Sequence, residues 1–143
     1  MLHTHSRIWI HLVWATKNRQ RIIHKNEGLQ LFEFFIDKGK SLDIPFEKLN
    51  IQPEHVHVLI DLPTNKMLSE FMHTIKGSSS HMLNKEVFKT KFEWQRGYGA
   101  YSVSTSRIEA IRKYIDIQHV HHQETTFEEE YQQWIKEYGL FDD

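Results

Sequence analysis

The chain has 143 residues and a mass of 17.2 kDa, with 39% hydrophobic residues, 26% charged residues and a formal charge of −1. That balance fits one globular domain over residues 1–143 and excludes collagen-like, low-complexity and disordered chains. Cysteine is absent, which rules out disulfide frameworks, thiolate zinc sites and cysteine nucleophiles. No apolar run approaches the ~18 residues of a membrane span, and the opening residues lack a leader pattern, so a cytoplasmic location is the expectation.

The net charge hides a gradient. Residues 1–25 carry five cations (Arg7, Lys17, Arg19, Arg21, Lys25) and no acid, whereas residues 119–143 carry one Lys against seven acids. A basic patch for an anionic partner and a merely solvated loop both account for the first of these.

Arg7 to Thr16 alternates as a half-buried strand, with Ile8, Ile10, Leu12 and Trp14 on one side and Trp9, His11 and Val13 on the other. The basic turn Lys17-Asn18-Arg19-Gln20-Arg21 follows. Leu29, Phe32, Phe35 and Ile36 recur at helical spacing between Asn26 and Leu42, with Gly39 and Pro45 marking the exit. Leu49 to Gln52 reads as a short strand, Pro53-Glu54 as a turn, and His55 to Leu62 as a strand with an apolar face of Val56, Val58, Ile60 and Leu62. Leu68 to Leu83 is a second helix, weakened by Gly77 and three serines. Tyr98 to Ser104 is a fourth strand. Ser106-Arg107-Ile108-Glu109 is a capping box for a third helix through His121, and Thr125-x-x-Glu128 opens a last one reaching Tyr138. The order β-α-β-β-α-β with trailing helices predicts an α+β, ferredoxin-like (RRM-like) antiparallel sheet with helices on one face. Val56, Val58, Ile60 and Leu62 take the covered face, leaving His55, His57, Leu59 and Asp61 on an open one.

Side chains repeat every two residues along a strand, so His55 and His57 project together. Eleven histidines in a chain of this length give about one His-x-His by chance, and the chain has three. This copy differs in lying mid-strand among strong β-formers, where a polar pair needs a reason; tolerance of polar groups on an exposed sheet is the competing one. Tyr114 and Gln118 are helix neighbours at the edge of the stripe formed by Ile108, Ile111 and Ile115. A tyrosine there is commonly a packing residue. Two imidazoles and an amide oxygen also make a three-ligand site for a divalent cation, beside which a phenol is placed to attack phosphorus.

The strand Pro53-Glu54-His55-Val56-His57-Val58-Leu59-Ile60, the segment Trp94-Gln95-Arg96-Gly97-Tyr98-Gly99-Ala100-Tyr101-Ser102-Val103 and the helix Tyr114-Ile115-Asp116-Ile117-Gln118 together resemble the single-tyrosine HUH transposases. These are the small enzymes of the simplest bacterial and archaeal insertion sequences, related to REP-associated tyrosine transposases. The resemblance runs from Ser6 to Gly139 and includes the strand exit Trp14-Ala15-Thr16-Lys17-Asn18-Arg19. It implies His55, His57 and Gln118 as ligands of Mg²⁺ or Mn²⁺, Tyr114 as nucleophile, an aromatic at Tyr101, and single-stranded DNA beside a hairpin as substrate. It also implies a homodimer in which one tyrosine helix can complete the partner's histidine site, acting on the nucleoid without a nucleotide cofactor. Lys17, Arg19 and Arg21 are candidate phosphate contacts and Trp9 a candidate base-stacking platform or dimer contact. Lys76 is expected to be solvated rather than facing DNA, and His119, His121 and His122 to form an exposed helix end rather than extra ligands. Two other functions fit the same elements: a non-catalytic single-strand-binding module and a metal-dependent phosphoesterase that uses water.

Overall fold

The computed structural model describes residues 4–86 and 91–118 and, beyond them, Glu129, Glu130, Gln132, Gln133 and Lys136, all five helical. In chain order the elements are β1 (Trp9–Ala15), α1 (Lys25–Ser41), β2 (Lys48–Ile51), β3 (His55–Asp61), α2 (Leu68–Glu86), β4 (Gly99–Val103) and α3 (Ile108–Asp116). The sheet has the order β2-β3-β1-β4, with every neighbouring pair antiparallel. This is the expected α+β, ferredoxin-like arrangement. No helix among the described residues is long and apolar enough to cross a membrane.

Alternation along the two central strands builds the main core. Leu12 and Trp14 of β1 and Val56, Val58 and Ile60 of β3 pack with Leu31 and Phe35 of α1 and Phe71, Met72 and Ile75 of α2. Each such side chain contributes roughly 1.5–3 kcal/mol through removal of apolar surface from water. The serine run in α2 does not break the helix, and its hydroxyls find partners within it: Ser78 Oγ bonds the Thr74 carbonyl at 2.5 Å and Ser79 Oγ that of Lys76 at 3.1 Å. Ser79 Oγ also accepts from Trp94 Nε1 at 2.9 Å. Ser79 is therefore also fixed by a tertiary contact.

Lys17 to Arg19 form a short 3-10 turn in which Asn18 (φ 57) and Arg19 (φ 53) are left-handed. The turn is held by a bond from the Asn18 N–H to Gln95 Oε1 (2.9 Å) and by the Lys17–Glu93 ion pair (2.9 Å).

Two expectations are corrected. The second face of the sheet is not open, because α3 lies across it: Ile108, Ile111 and Ile115 pack on Leu59 and Val103, with Trp9 and Tyr114 at the margin. An amphipathic helix without a partner would leave that stripe in water, and the sheet face is the apolar surface within reach. Nor is Ser106 the cap of α3. Thr105 to Arg107 form a 3-10 turn closed by the Arg107 N–H on the Ser104 carbonyl (2.9 Å), and α3 begins at Ile108. The Ser106 hydroxyl lies 3.1 Å from that of Ser104, and Glu109 bonds Arg112 rather than turning back. Thr125, Glu128, Tyr138 and the histidines at 119, 121 and 122 lie outside the described residues.

Two helical glycines are distinguished by their surroundings. A Cβ on Gly39 would sit 2.9 Å from the Ile44 carbonyl oxygen and 3.1 Å from the Phe46 ring, whereas one on Gly77 would meet nothing within 4 Å. Gly77→Ala is expected to stabilise the protein by about 0.5–1 kcal/mol. Gly39→Ala, despite the same propensity gain, is expected to destabilise it by about 1–3 kcal/mol, both read from urea unfolding midpoints.

Candidate active site

The Pro53-Glu54 turn feeds directly into β3, whose alternation sends Val56, Val58 and Ile60 to the main core and His55, His57 and Leu59 toward α3. Both histidines are fully buried. Their Nε2 atoms lie 3.1 Å apart with the rings nearly perpendicular at 81°. Two imidazole nitrogens this close cannot both aim lone pairs at each other; a proton on one, or a cation between them, removes the repulsion. Each outer nitrogen is held as well. His55 Nδ1 lies 2.7 Å from Glu54 Oε1, and His57 Nδ1 lies 3.0 Å from His11 Nε2.

A carboxylate completes the group, with Glu130 Oε1 3.2 Å from His57 Nε2. One ligand atom each from His55, His57 and Glu130 falls within 4.8 Å of the others, all three residues buried. Two imidazoles and a carboxylate, mutually close and shielded from water, are a donor set that fits a divalent cation. Burial pushes the His57 imidazole well below its ordinary range, opposed by its bond to Glu130. It also takes His11 down to about 4, against the attraction of the same carboxylate. Both rings are thus held neutral, the form in which an imidazole ligates.

Tyr114 and the histidine pair meet within one chain. The Tyr114 ring stands at 87° to that of His57 with centroids 5.6 Å apart, and 6.0 Å from the ring of His11. Gln118, one turn on, is fully buried, and its side-chain amide donates to the Tyr114 carbonyl at 3.1 Å. The sequence reading put Gln118 third beside the histidines; the close carboxylate is Glu130. Tyr101 is buried 6.1 Å from the His11 ring and folds back over Gly99, where a Cβ would lie 2.7 Å from its hydroxyl.

The candidate DNA contacts are scattered. Trp9 is half-buried against the α3 cluster, with the Arg7 guanidinium 5.9 Å and that of Arg112 5.5 Å from its ring, so it is not an open platform. Lys17 is paired with Glu93, and Arg21 reaches Glu54 Oε2 at 2.5 Å while its side chain stays 69% exposed. Arg19 is exposed at a cleft of 510 Å³ whose lining includes Arg96, Tyr98 and Tyr101. Lys76 is not simply solvated: its ammonium donates to the carbonyls of Gln95 (2.8 Å) and Gly97 (2.6 Å), and burial lowers its pKa.

Three residues of the site went unremarked in the sequence. Glu54 adjoins His55, and an acid there was a usable signal. His11 had been placed on the correct side of β1, and only the pairing of β1 with β3 brings it to His57. Glu130 carries no signal, being one of seven acids near the end of the chain.

Known proteins resemble the chain along most of its length. A family model described as "Transposase IS200 like" matches residues 4–118. Among curated relatives, the ISDra2 transposase TnpA of Deinococcus radiodurans is 24% identical over 76% of this chain and 82% of its own length. The transposase for insertion sequence element IS200 of Salmonella typhimurium is 25% identical over 80% of each. Two solved structures share the fold. A candidate transposase of Deinococcus radiodurans superposes with a TM-score of 0.69 at 22% identity, covering 82% of this chain and 95% of its own. A REP-associated tyrosine transposase bound to a REP hairpin gives a TM-score of 0.63 at 21% identity, covering 85% and 74%. With the family model spanning most of its length, the chain belongs to the IS200-like transposases, enzymes of DNA transposition.

Proposed function

We propose that this transposase cleaves and rejoins single-stranded DNA at insertion-sequence ends, beside a hairpin, through a 5′-phosphotyrosine intermediate on Tyr114. The observation that carries the reading is the Tyr114 ring set edge-on against His57, 5.6 Å between centroids, beside two imidazole nitrogens that converge to 3.1 Å. A phenol within reach of a buried ligand pair is what a tyrosine nucleophile for phosphoryl transfer needs.

His55 and His57, with Glu130 as the close carboxylate and Gln118 one turn from Tyr114, are the residues that would hold a divalent ion, Mg²⁺ or Mn²⁺. When bound, such an ion supplies Lewis-acid neutralisation of charge on the scissile phosphate. The phenolic oxygen of Tyr114 then attacks phosphorus in line: the Tyr–O–P bond forms, the P–O3′ bond breaks, the phenolic proton is lost and the departing 3′ oxygen takes one up. That 3′-hydroxyl can later attack a phosphotyrosine and reverse the exchange, so no nucleotide cofactor enters. α3 and the isoleucines it buries keep bulk water from the pair, which favours attack by tyrosine over attack by water. The basic turn at Lys17, Arg19 and Arg21 and the cleft lined by Arg96 and Tyr98 are the proposed path of the strand, with phosphates on the cations and a base on the exposed tyrosine. A relative described as bound to a REP hairpin supports the hairpin. A homodimer, in which a partner's tyrosine helix can substitute for α3, and a single catalytic domain over residues 1–143 complete the proposal.

The test is incubation with a labelled hairpin oligonucleotide and Mn²⁺. A covalent protein–DNA adduct that survives denaturation, and is absent with Tyr114→Phe, is the expected result. Cleavage without an adduct, unchanged in Tyr114→Phe, identifies a water-using phosphoesterase instead, and binding without cleavage a recognition module. Separately, Glu54→Ala is expected to weaken Mn²⁺ binding about 10–100-fold by releasing the His55 ring, measured by Mn²⁺ electron paramagnetic resonance.

A further inference from the structure

We propose that His11 is a positioning residue for the ion site, accepting a hydrogen bond from His57 Nδ1 and so committing His57 to the form whose Nε2 lone pair faces His55. The inference rests on the reading of the histidine pair as a cation site and names a residue that acts through a ligand rather than as one.

The geometry is that of a directed bond. His11 Nε2 and His57 Nδ1 are 3.0 Å apart, and the two rings are within 20° of parallel with centroids separated by 5.2 Å. Rings that lie nearly parallel, joined nitrogen to nitrogen at that distance, sit edge to edge in a common plane; face-to-face packing would bring the centroids closer. The bond therefore runs in the plane of both imidazoles, along the lone pair of one and the N–H of the other. A neutral imidazole has one donor and one acceptor nitrogen. If His57 Nε2 is to meet a cation, its proton must sit on Nδ1, and the atom facing Nδ1 must accept.

His11 is fixed to do this. It lies in the middle of β1, a strand paired on both sides, opposite Leu59 of β3 and Tyr101 of β4, and is 1% exposed. The ring of Tyr114 closes on it at 6.0 Å and that of Tyr101 at 6.1 Å. The arrangement parallels the other ligand, where Glu54 takes the Nδ1 side of His55 at 2.7 Å. The difference is charge. A carboxylate already backs His55, and Glu130 stands at His57 Nε2; a third buried anion at the position of His11 would add repulsion, whereas an imidazole accepts the bond without it.

A purely space-filling His11 and a hydrogen-bonding one differ in their response to two substitutions. His11→Phe keeps the ring and removes the acceptor; His11→Gln loses the ring and keeps an acceptor. The expected result is that His11→Phe weakens Mn²⁺ binding, followed by electron paramagnetic resonance, about 10–100-fold while His11→Gln restores most of the affinity. Wild-type affinity in His11→Phe, or equal losses in both variants, overturns the proposal. Should either variant fail to fold, ¹⁵N spectra of Mg²⁺-loaded wild-type protein decide it. His11 carrying its proton on Nδ1, with coupling from His57 Nδ1 across the bond, supports the assignment, and a proton on His11 Nε2 overturns it. The parent reading fails differently, through wild-type protein that takes up neither ion or His57→Ala that binds Mn²⁺ as the wild type does. Either result overturns the His11 assignment with it.

Discussion

A strand buried on both faces must satisfy every polar group it carries, and β3 carries two imidazoles in that position. From His55 to Ile60 all its residues are buried. Valine and isoleucine on one side need nothing but close packing. Histidines on the other need partners for four ring nitrogens, because an unsatisfied buried polar group costs about 1–3 kcal/mol. The surrounding structure meets that demand from three directions: Glu54 from the preceding turn, His11 from β1, and Glu130 from beyond α3. Glu54 and His11 take the two Nδ1 atoms, and the two Nε2 atoms face each other with Glu130 beside that of His57, an arrangement that fits a cation.

α3 supplies the second constraint. Its three isoleucines dock on the sheet, and the docking brings Tyr114 to the histidines at the same time as it seals them. Polar pairs at the helix edge, Lys48–Asp116 at 2.9 Å and Arg112 with Glu47, orient it without burying charge. Packing thus sets both the dryness of the site and the position of its candidate nucleophile, two properties that phosphoryl transfer needs together.

Much of this was readable in one dimension. The element order follows from local periodicity, and so do the division of β1 and β3 into two faces and the stripe of Ile108, Ile111 and Ile115 with Tyr114 beside it. Periodicity gives a helix its apolar side but not the surface that side will meet, so the sheet face that α3 covers had looked open. The box at Ser106 failed for a related reason. Its residues are good cap formers, but the three-residue turn from Thr105 took them first, and Glu109 found Arg112. Glu130 was illegible because its closeness to His57 is a tertiary contact between positions far apart in the chain, which no window of sequence contains. Lys76, a charge on a helix surface by its spacing, proved to clamp two carbonyls of a distant segment.

Glu54 has two oxygens, and they serve two different neighbourhoods. One meets the buried ring of His55 and the other the guanidinium of Arg21, whose side chain is largely in solvent. A nucleic-acid phosphate that drew Arg21 outward would leave the whole negative charge of that carboxylate to His55 and strengthen its electron donation. One exposed guanidinium and one buried ring thus share a single carboxylate, so the charge that His55 meets in the interior depends on a group at the surface.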